Sequence, residues 1–390
     1  MCTALEDATR LERGISSDSP AASKKVFDMA YALRSVGEKS VILSMGRGKP
    51  QKRMSFYKAK IVRMQGVPVV YAPFSDIPFI SQLLSLISMP YFLYLLNSSS
   101  EKTVAVFYNR TSAYIPALFM SLILGIGRIL DLEDAEIISP RNWSPYQFYL
   151  RGKRSIYDRL CTSGTLLACR AIGSGIKSNL GLCYYGAIEN FSSVTAWSTK
   201  SRYKLLLGGT VSRDTGADIL IEAIQLLRKN TEEWSDKLEF IITGKGDYIE
   251  QFETLGRMET PPFVTVAGRL TDADYVAMVD SCDVGLALKP NLGLLADTTF
   301  PSKVIELASA GLLVLTTDIS DVKLVMGNGA VYLNRDDPLE LIHLLRWIVE
   351  NPQLAEQTAI EGNLSVRGHC SMEMAGRKLA NFIYQSDGMK

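Results

Sequence analysis

The sequence predicts an α/β protein built from two Rossmann-like domains, each a doubly wound parallel sheet. The chain has 390 residues, 47% of them apolar and 21% charged, which is enough for two packed cores. Short apolar runs alternate with segments of helical periodicity, and that alternation is typical of parallel sheets covered by helices on both faces. We expect an N-terminal domain over 1–189, a C-terminal domain over 190–370, and a final helix within 371–390 that packs back on the N-terminal domain.

The alternation is clearest in the C-terminal half. Strands are predicted at 203–208, 238–243, 263–267, 283–288, 312–316 and 330–333. Helices are predicted at 216–229, 272–282, 301–310 and 337–350. Because strands and helices take turns, consecutive strands should run parallel, and ligands should bind beyond the carboxyl ends of those strands.

The N-terminal half repeats the pattern less regularly. A helix is predicted at 21–36, and no convincing strand precedes residue 20. Strands are predicted at 39–45, 67–72, 102–107, 128–134 and 180–185. The half is therefore expected to hold a second, looser version of the same fold.

Composition excludes several classes of protein. A net charge of only +1 argues against a nucleic-acid-binding protein. The six cysteines form no C-x-x-C pair, which argues against a zinc site or a disulfide framework. The two histidines, His343 and His369, both lie near the C-terminus in patterns of peripheral helices. Nothing in the sequence requires a metal or a cofactor.

Two predicted strands end in glycine-rich turns, which allow a ligand to approach the main chain closely. The first is LLLGGTVSRDTGAD at 205–218, in which Arg213 adds a permanent cation. In the second, ITGKGD at 242–247, Ile249 takes the place of the third glycine of a dinucleotide fingerprint, so NAD binding is disfavoured. A third turn, VAGRLTDADY, should lead into a helix capped by Thr271. The glycines that allow this approach are Gly208, Gly209, Gly244 and Gly246.

The most informative segment is TTFPSKVIELASAG at 298–311. Pro301 suits the first position of a helix, and Gly311 suits its end. Main-chain amides at that helix start, together with Lys303, would form an anion site for a diphosphate. Glu306 lies on the same face and can accept hydrogen bonds from ribose hydroxyls. The alternative is an exposed Lys–Glu pair without a ligand.

The order of these turns, with LVLTTD after them, resembles the donor domain of GT-B glycosyltransferases, most closely family 4, over about 203–350. The resemblance implies two domains facing a cleft and a nucleotide diphosphate sugar, linked to UDP or GDP, as the donor substrate. It implies that Lys303 stabilises the leaving diphosphate, with Arg213 as a second cation. The donor-binding residues, including the second glycine turn, are Gly209, Thr210, Gly244, Gly246, Arg269, Leu270, Phe300, Pro301, Ser302, Lys303 and Glu306.

The sequence departs from the family pattern at two places. Thr298 stands where the first glutamate of the E-x(7)-E motif belongs, and Asp297 is out of register. Gly209 and Thr215 occupy the positions of the family's usual Arg and Lys after the first strand of the donor domain, where Arg213 is the available substitute. Both departures concern the donor sugar and the retaining mechanism more than the fold.

The expected acceptor residues lie in the N-terminal half. SPAASKKVFDMAYAL at 19–33 is similar to the family's loop and first helix, where the acceptor and the transferred sugar meet. YNRTSAY and DLEDAE each end a strand, and from them we select Asn109, Arg110 and Asp134. Surface polar residues without a functional role are the alternative reading.

The resemblance implies transfer of a sugar to a hydroxyl group, with retention of anomeric configuration, in surface polysaccharide or glycolipid assembly. The acceptor would be a glycan or a lipid-linked molecule. Two other functions remain open, namely a nucleotide-sugar epimerase and a non-catalytic partner subunit. The missing first glutamate favours the second of these.

A charge-free run at 77–100 has the length of a membrane-spanning helix, but Pro78 and Pro90 interrupt it and favour an internal helix pair. The similar segment at 112–127 is predicted to be a buried helix. Upstream, 47–63 contains seven basic residues and no acidic one. A basic patch beside apolar helices suits docking on an anionic membrane surface, although a solvated loop beside core helices would give the same pattern. We expect a cytoplasmic protein that associates peripherally with the inner face of the membrane.

Overall fold

The computed structural model describes residues 7–15, 20–46, 54–97, 102–133, 144–173, 180–197, 200–291 and 293–387. The chain divides into two compact units. The N-terminal unit comprises Met1–Ala187 and Met372–Lys390, and the C-terminal unit comprises Ile188–Ser371. The last helix of the chain thus belongs to the N-terminal unit.

The elements of the N-terminal unit alternate irregularly between strands and helices. Its helices before residue 188 are α1 (Asp7–Glu12), α2 (Pro20–Ser35), α3 (Pro78–Leu96), α4 (Ile115–Ile123), α5 (Pro145–Leu160) and α6 (Arg170–Gly173). Its strands are β1 (Ile42–Ser44), β2 (Phe56–Tyr57), β3 (Lys60–Met64), β4 (Val67–Tyr71), β5 (Phe74–Ser75), β6 (Val104–Tyr108), β7 (Gly127–Leu132), β8 (Gly164–Leu167) and β9 (Gly181–Cys183).

The C-terminal unit alternates more regularly. Its helices are α7 (Ala217–Asn230), α8 (Ile249–Gly256), α9 (Asp272–Asp280), α10 (Leu294–Asp297), α11 (Lys303–Ser309), α12 (Val322–Met326), α13 (Pro338–Glu350) and α14 (Pro352–Cys370). Its strands are β10 (Tyr203–Thr210), β11 (Leu238–Lys245), β12 (Phe263–Gly268), β13 (Val284–Ala287), β14 (Leu313–Thr317) and β15 (Val331–Leu333). The chain ends with α15 (Met372–Asp387) in the N-terminal unit.

The C-terminal unit contains a six-stranded sheet in the order β12-β11-β10-β13-β14-β15, with every pair parallel. The chain builds outward from β10 through β11 and β12, then returns to place β13 on the other side of β10. In such a sheet the carboxyl ends of the strands at the point of reversal form a crevice that binds ligands. The six predicted strands and four predicted helices of this unit are confirmed.

The N-terminal unit divides its described strands among several sheets. Strands β6, β7, β8 and β9 form a parallel sheet in that order, and β4 pairs parallel with β1 and antiparallel with β3. Strands β2 and β5 form a short antiparallel ribbon. The five predicted strands correspond to β1, β4, β6, β7 and β9, whereas β2, β3, β5 and β8 were not predicted. Strand β8 has only four residues, all of them buried, which is too short a run to show a period of two.

Helix α15 packs along α2 within the N-terminal unit, where both contribute to one apolar core. The two helices approach so closely that a Cβ atom at Gly376 would lie 2.2 Å from the main-chain oxygen of Ala32. Only glycine allows this contact, because any side chain at 376 would push the helices apart.

Two sequence predictions in this unit were wrong. Within the run at 77–100, Pro78–Leu96 forms one continuous helix, α3, and not a pair. Pro78 occupies the first turn, where the missing amide costs nothing, and the helix continues through Pro90. By length and composition, Phe79–Leu96 is the one described helix able to cross a membrane. Helix α4 was predicted to be buried, yet Phe119 and Ile123 are exposed.

Candidate functional site

The candidate site lies at the carboxyl edge of the C-terminal sheet. Strands β10 and β11 run side by side to their ends, where Gly209 pairs with Gly244 and Thr210 with Lys245. Strand β13 lies on the other side of β10, so the turn after Thr210 opens at the point where the strand order reverses. This is the position at which doubly wound sheets bind their ligands.

The two glycine-rich turns pack directly against each other. A Cβ atom at Gly244, where φ is +112°, would lie 1.8 Å from the main-chain oxygen of Gly209. A Cβ atom at Gly246 would lie 2.0 Å from the main-chain oxygen of Val211. Gly244 and Gly246 therefore have a packing role that the sequence did not indicate, since they let the second turn support the first.

Lys303 is the centre of the site. Its Nζ lies 2.7 Å from Oη of Tyr275 and 3.2 Å from Oε2 of Glu306. The same Nζ lies 4.8 Å from the centre of the Tyr275 ring. A Cβ atom at Gly209 would lie 3.5 Å from Cε of Lys303, and one at Gly208 would lie 3.0 Å from Oη of Tyr275. Three separate elements, β10, α9 and α11, thus bring these side chains together.

The charges of this group are set by burial and by the neighbours. Burial lowers the pKa of Lys303, but Glu306 and Tyr275 outweigh it, so the pKa of the ammonium group is raised overall. Burial, followed by the Glu306 carboxylate, raises the pKa of Tyr275. At neutral pH the site therefore presents a lysine cation and a neutral phenol. Lys303 is 36% exposed and Glu306 is 44% exposed, so both remain accessible to a ligand.

Helix α11 begins two residues later than predicted, at Lys303 with Ser302 as its N-cap. The chain first makes a tighter turn, in which the amides of Val304 and Ile305 donate to the oxygens of Pro301 and Ser302. These amides are already used within the turn. The prediction of a diphosphate site concerns the amides of residues 300–303, and it stays a prediction.

The other predicted donor residues differ in exposure and in their partners. Thr210 is exposed at the end of β10, while Arg269 is exposed and Leu270 half-buried after the end of β12. Phe300 is half-buried just before α11. Arg213 lies on a single 3-10 turn after β10, where it is 73% exposed and its Nε is 3.4 Å from the Asp218 carboxylate. Arg213 thus pairs with Asp218 and not with the Lys303 group.

Thr298 shows what replaces the first glutamate of the family motif. Its side chain is buried in the segment that precedes α11. Asp297, the neighbouring carboxylate, is exposed at the end of α10. Glu306 is therefore the carboxylate that the structure places beside Lys303.

The predicted acceptor residues have structural partners in the N-terminal unit. Asn109 has a φ of +52°. Its main-chain amide donates to the main-chain oxygen of Asp131, and its side-chain Oδ1 accepts from the main-chain amide of Glu133. These two bonds join the ends of β6 and β7. Arg110 is buried and donates from Nη2 to Asp158 over 2.8 Å. Asp134 lies outside the described residues.

A second charged group, which the sequence did not reveal, lies at the end of β7. Lys25 of α2 donates to Asp131 over 2.8 Å and also to Glu133, and its Nζ lies 5.4 Å from the centre of the Tyr184 ring. The side chain of Lys25 is 13% exposed and that of Asp131 is 1% exposed. Burial raises the pKa of Asp131 to about 6, against the opposing effect of Lys25. Lys25 lies within the segment 19–33 that the family resemblance had singled out.

Metal ligands are not clustered in the part of the chain that the structure describes. Among those residues, no group of three or more His, Cys, Asp or Glu could hold a metal ion.

Comparison with known proteins agrees with this arrangement. Residues 202–351 match the family model of glycosyl transferases group 1. A sequence search of curated proteins found no match. Similar solved structures include Anabaena HepE in complex with UDP and glucose, at 15% identity and a TM-score of 0.63, covering 95% of this chain and 97% of that one.

Two further solved structures share the fold over nearly their whole length. Sucrose-phosphate synthase from Thermosynechococcus elongatus is 12% identical, with a TM-score of 0.64 and 94% of each chain covered. α,α-Trehalose 6-phosphate synthase from Burkholderia multivorans is 12% identical, with a TM-score of 0.62, covering 99% of this chain and 97% of that one. The chain therefore has the GT-B fold of glycosyltransferases, and the predicted resemblance is confirmed at that level. Within the C-terminal unit, residues 202–351 are similar to the glycosyl transferases group 1 family.

Proposed function

We propose that the protein transfers a sugar from a UDP-sugar to a hydroxyl group of an acceptor. The observation that carries this proposal is the group of Lys303, Tyr275 and Glu306 beside Gly209, at the ligand-binding edge of a group 1 domain. Solved structures of similar fold support UDP over GDP. HepE has been crystallised with UDP-glucose, and a similar trehalose-phosphate synthase from Burkholderia vietnamiensis is described as UDP-forming.

Each side chain of the group has a role in this reaction. As the bond between the sugar and the diphosphate breaks, negative charge grows on the leaving phosphate oxygen, and the Lys303 cation would stabilise it. The Tyr275 phenol, kept protonated by its raised pKa, could donate a hydrogen bond to the same oxygen. Glu306, with its half-exposed carboxylate, would accept from the ribose hydroxyls.

The finer parts of the proposal concern stereochemistry and acceptor. We propose that the anomeric configuration is retained: the acceptor hydroxyl attacks on the face from which UDP leaves and gives its proton to the departing phosphate. No protein nucleophile is then needed. A glycan or lipid-linked acceptor in surface polysaccharide or glycolipid assembly would fit such a transfer.

The nucleotide is tested by thermal stabilisation with UDP, GDP, ADP, CMP and dTDP. A ligand at 100 times its dissociation constant should add about 2.7 kcal/mol to the free energy of unfolding. We expect UDP to stabilise the wild type and to lose that effect in Glu306→Ala. Stabilisation by GDP alone would replace UDP by GDP as the donor nucleotide, and no stabilisation by any nucleotide would contradict the donor site.

The role of Lys303 is tested by UDP release from a panel of UDP-sugars. Removing a preorganised group that stabilises charge typically lowers kcat by about 10²–10³-fold, and we expect that loss in Lys303→Met. Lys323→Met is a matched control, because Lys323 also pairs with a carboxylate, Asp318, and lies 5.3 Å from the centre of a tyrosine ring. Equal activity of the two variants would contradict the proposed role.

A non-catalytic partner subunit is the second candidate, favoured by the buried Thr298 in place of a glutamate. A glycosyltransferase should release UDP slowly from its donor even without an acceptor, whereas a subunit that only binds should not. Nucleotide-dependent stabilisation combined with no UDP release from any UDP-sugar would favour the subunit. Inversion of a sugar centre in the recovered donor would instead indicate an epimerase.

A further inference from the structure

Helix α3 is apolar on its outward face as well as on its buried face, unlike an ordinary surface helix. Its outward face carries an apolar stripe at helical spacing, between 55% and 83% exposed. That stripe comprises Phe79, Leu83, Ile87, Tyr91 and Tyr94. Its inward face contains the buried serines Ser81, Ser85 and Ser88. A water-exposed helix normally turns its apolar side to the core, so this outward face is built for contact with an apolar phase.

Two neighbouring helices also expose apolar side chains. Helix α3 packs against α4, which exposes Phe119 and Ile123. The first turn of α5 exposes Tyr146 and Phe148. Helix α5 is held against the segment that leads into α4, since the Tyr157 hydroxyl donates to the main-chain oxygen of Thr111 over 2.7 Å. The exposed apolar residues of the three helices thus belong to one connected part of the N-terminal unit.

The charges of this surface are of one dominant sign. Neither α3 nor α4 contains a charged residue. Beyond its aromatic first turn, α5 carries four basic residues against a single acidic residue, Asp158. Arg159 is exposed, Arg151 and Lys153 are half-buried, and Arg154 pairs with Asp158. Aromatic and aliphatic side chains next to a cluster of arginine and lysine form the combination that binds at the interface of an anionic bilayer.

We propose that α3, α4 and α5 form a docking surface for an anionic lipid bilayer, with α3 lying in the plane of the membrane. The other side of α3 favours this orientation over a spanning one, because Met89 and Leu93 are buried in the unit. Phe79, Leu83 and Ile87 enter the acyl boundary, while the basic residues of α5 contact lipid phosphates. This surface is independent of the donor site in the C-terminal unit.

The test is flotation of the full chain with vesicles. Vesicles of phosphatidylcholine mixed with phosphatidylglycerol should bind the wild type, and binding should weaken with added salt. The variant with Phe79, Leu83 and Ile87 all changed to Ser should lose roughly tenfold or more in partition, since each apolar side chain leaves the interface. A matched variant changes Leu339, Leu354 and Leu364 to Ser; these leucines are similarly exposed in the C-terminal unit, and it should bind like the wild type.

A charge variant tests the lipid headgroup. Arg151→Gln combined with Lys153→Gln should weaken binding to the mixed vesicles on the order of 30-fold, at about fivefold per basic residue. Binding to phosphatidylcholine vesicles should be weak for the wild type and for this variant alike. Equal binding of wild type and charge variant to the mixed vesicles would contradict the anionic part of the proposal.

Three results would overturn the docking surface itself. Absence of wild-type binding to either vesicle is the first. The second is a wild-type dimer in sedimentation that the α3 triple variant converts to a monomer without any vesicle binding, which would assign the surface to a second copy of the chain. The third is resistance of the bound protein to extraction at alkaline pH, which would indicate a spanning helix.

Circular dichroism and the melting temperature of each variant verify that it is folded. UDP-dependent stabilisation of the α3 variant should persist, which separates this proposal from the donor site.

Discussion

Two lysine–carboxylate groups lie at the ends of parallel strands, one in each unit, and they differ in burial. Lys303 and Glu306 are 36% and 44% exposed beside β10. Lys25 and Asp131 are 13% and 1% exposed beside β7. An exposed pair contributes little to stability and keeps its charges available for a ligand. In a buried pair each charge compensates the other, so that losing one partner leaves an uncompensated ion in the protein interior.

The largest effect is expected from Lys25→Met, which removes the cation from two carboxylates. Breaking a buried ion pair on one side costs about 3–5 kcal/mol, and we expect a loss of that size in the free energy of unfolding of the N-terminal unit. Hydrogen exchange of the amides of α2 and β7 measures it locally. The control is Lys24→Met, because Lys24 is exposed and pairs with Asp28 one turn away, so its loss should cost less than about 1 kcal/mol. Equal destabilisation by Lys25→Met and Lys24→Met would mean that the buried pair stabilises the N-terminal unit no more than an exposed pair does.

The C-terminal unit should instead be sensitive at its main chain. Gly244→Ala would place a Cβ atom 1.8 Å from the oxygen of Gly209, and we expect a loss of about 3 kcal/mol in the free energy of unfolding. Gly268→Ala is the matched control, because Gly268 also has a positive φ, +63°, but nothing lies within 4 Å of its added Cβ atom. That variant should lose about 1–2 kcal/mol. UDP binding should weaken in Gly244→Ala and persist in Gly268→Ala. Weaker UDP binding in Gly268→Ala than in Gly244→Ala would contradict the proposal that the turn at Gly244 supports the turn at Gly209.

These contrasts also show what the sequence can predict. Lys303 and Glu306 are three residues apart on one helix, so the sequence pattern alone is enough to put them on one face. Tyr275 is 28 residues from Lys303, and Asp131 is 106 residues from Lys25, so both pairs depend on how the strands are ordered. Helix α3 is almost wholly apolar, and its sequence does not tell which face turns inward. The regular alternation of the C-terminal half predicted its sheet; the short β8 and the antiparallel β3 of the N-terminal half lack that signal.

A smaller effect is expected in the pH dependence of the N-terminal unit. Burial raises the pKa of Asp131 from 3.8 to about 6 in the folded protein, so the folded state holds this proton more tightly than the unfolded state does. The stabilisation from the proton is therefore present at acid pH and lost as pH rises from about 4 to about 6, with a slope of at most about 1.4 kcal/mol per pH unit. The difference in free energy of unfolding between wild type and Asp131→Asn should fall across this window. A difference that stays constant with pH would contradict the raised pKa.

The smallest effect is expected at Tyr275, and it distinguishes positioning from charge in the donor site. Tyr275→Phe keeps the ring below the Lys303 ammonium group but removes the oxygen that lies 2.7 Å from Nζ. One hydrogen bond to a charged group contributes about 1.5–3 kcal/mol, but half-exposed Lys303 can replace it by water, so we expect a loss of roughly threefold to tenfold in UDP affinity. Isothermal titration measures this loss. Since the cation remains, Tyr275→Phe should bind UDP more tightly than Lys303→Met. An equal loss of UDP affinity in the two variants would mean that UDP binding needs the phenol as much as the charge. Lys303 and Tyr275 would then depend on each other, as Lys25 and Asp131 do in the N-terminal unit.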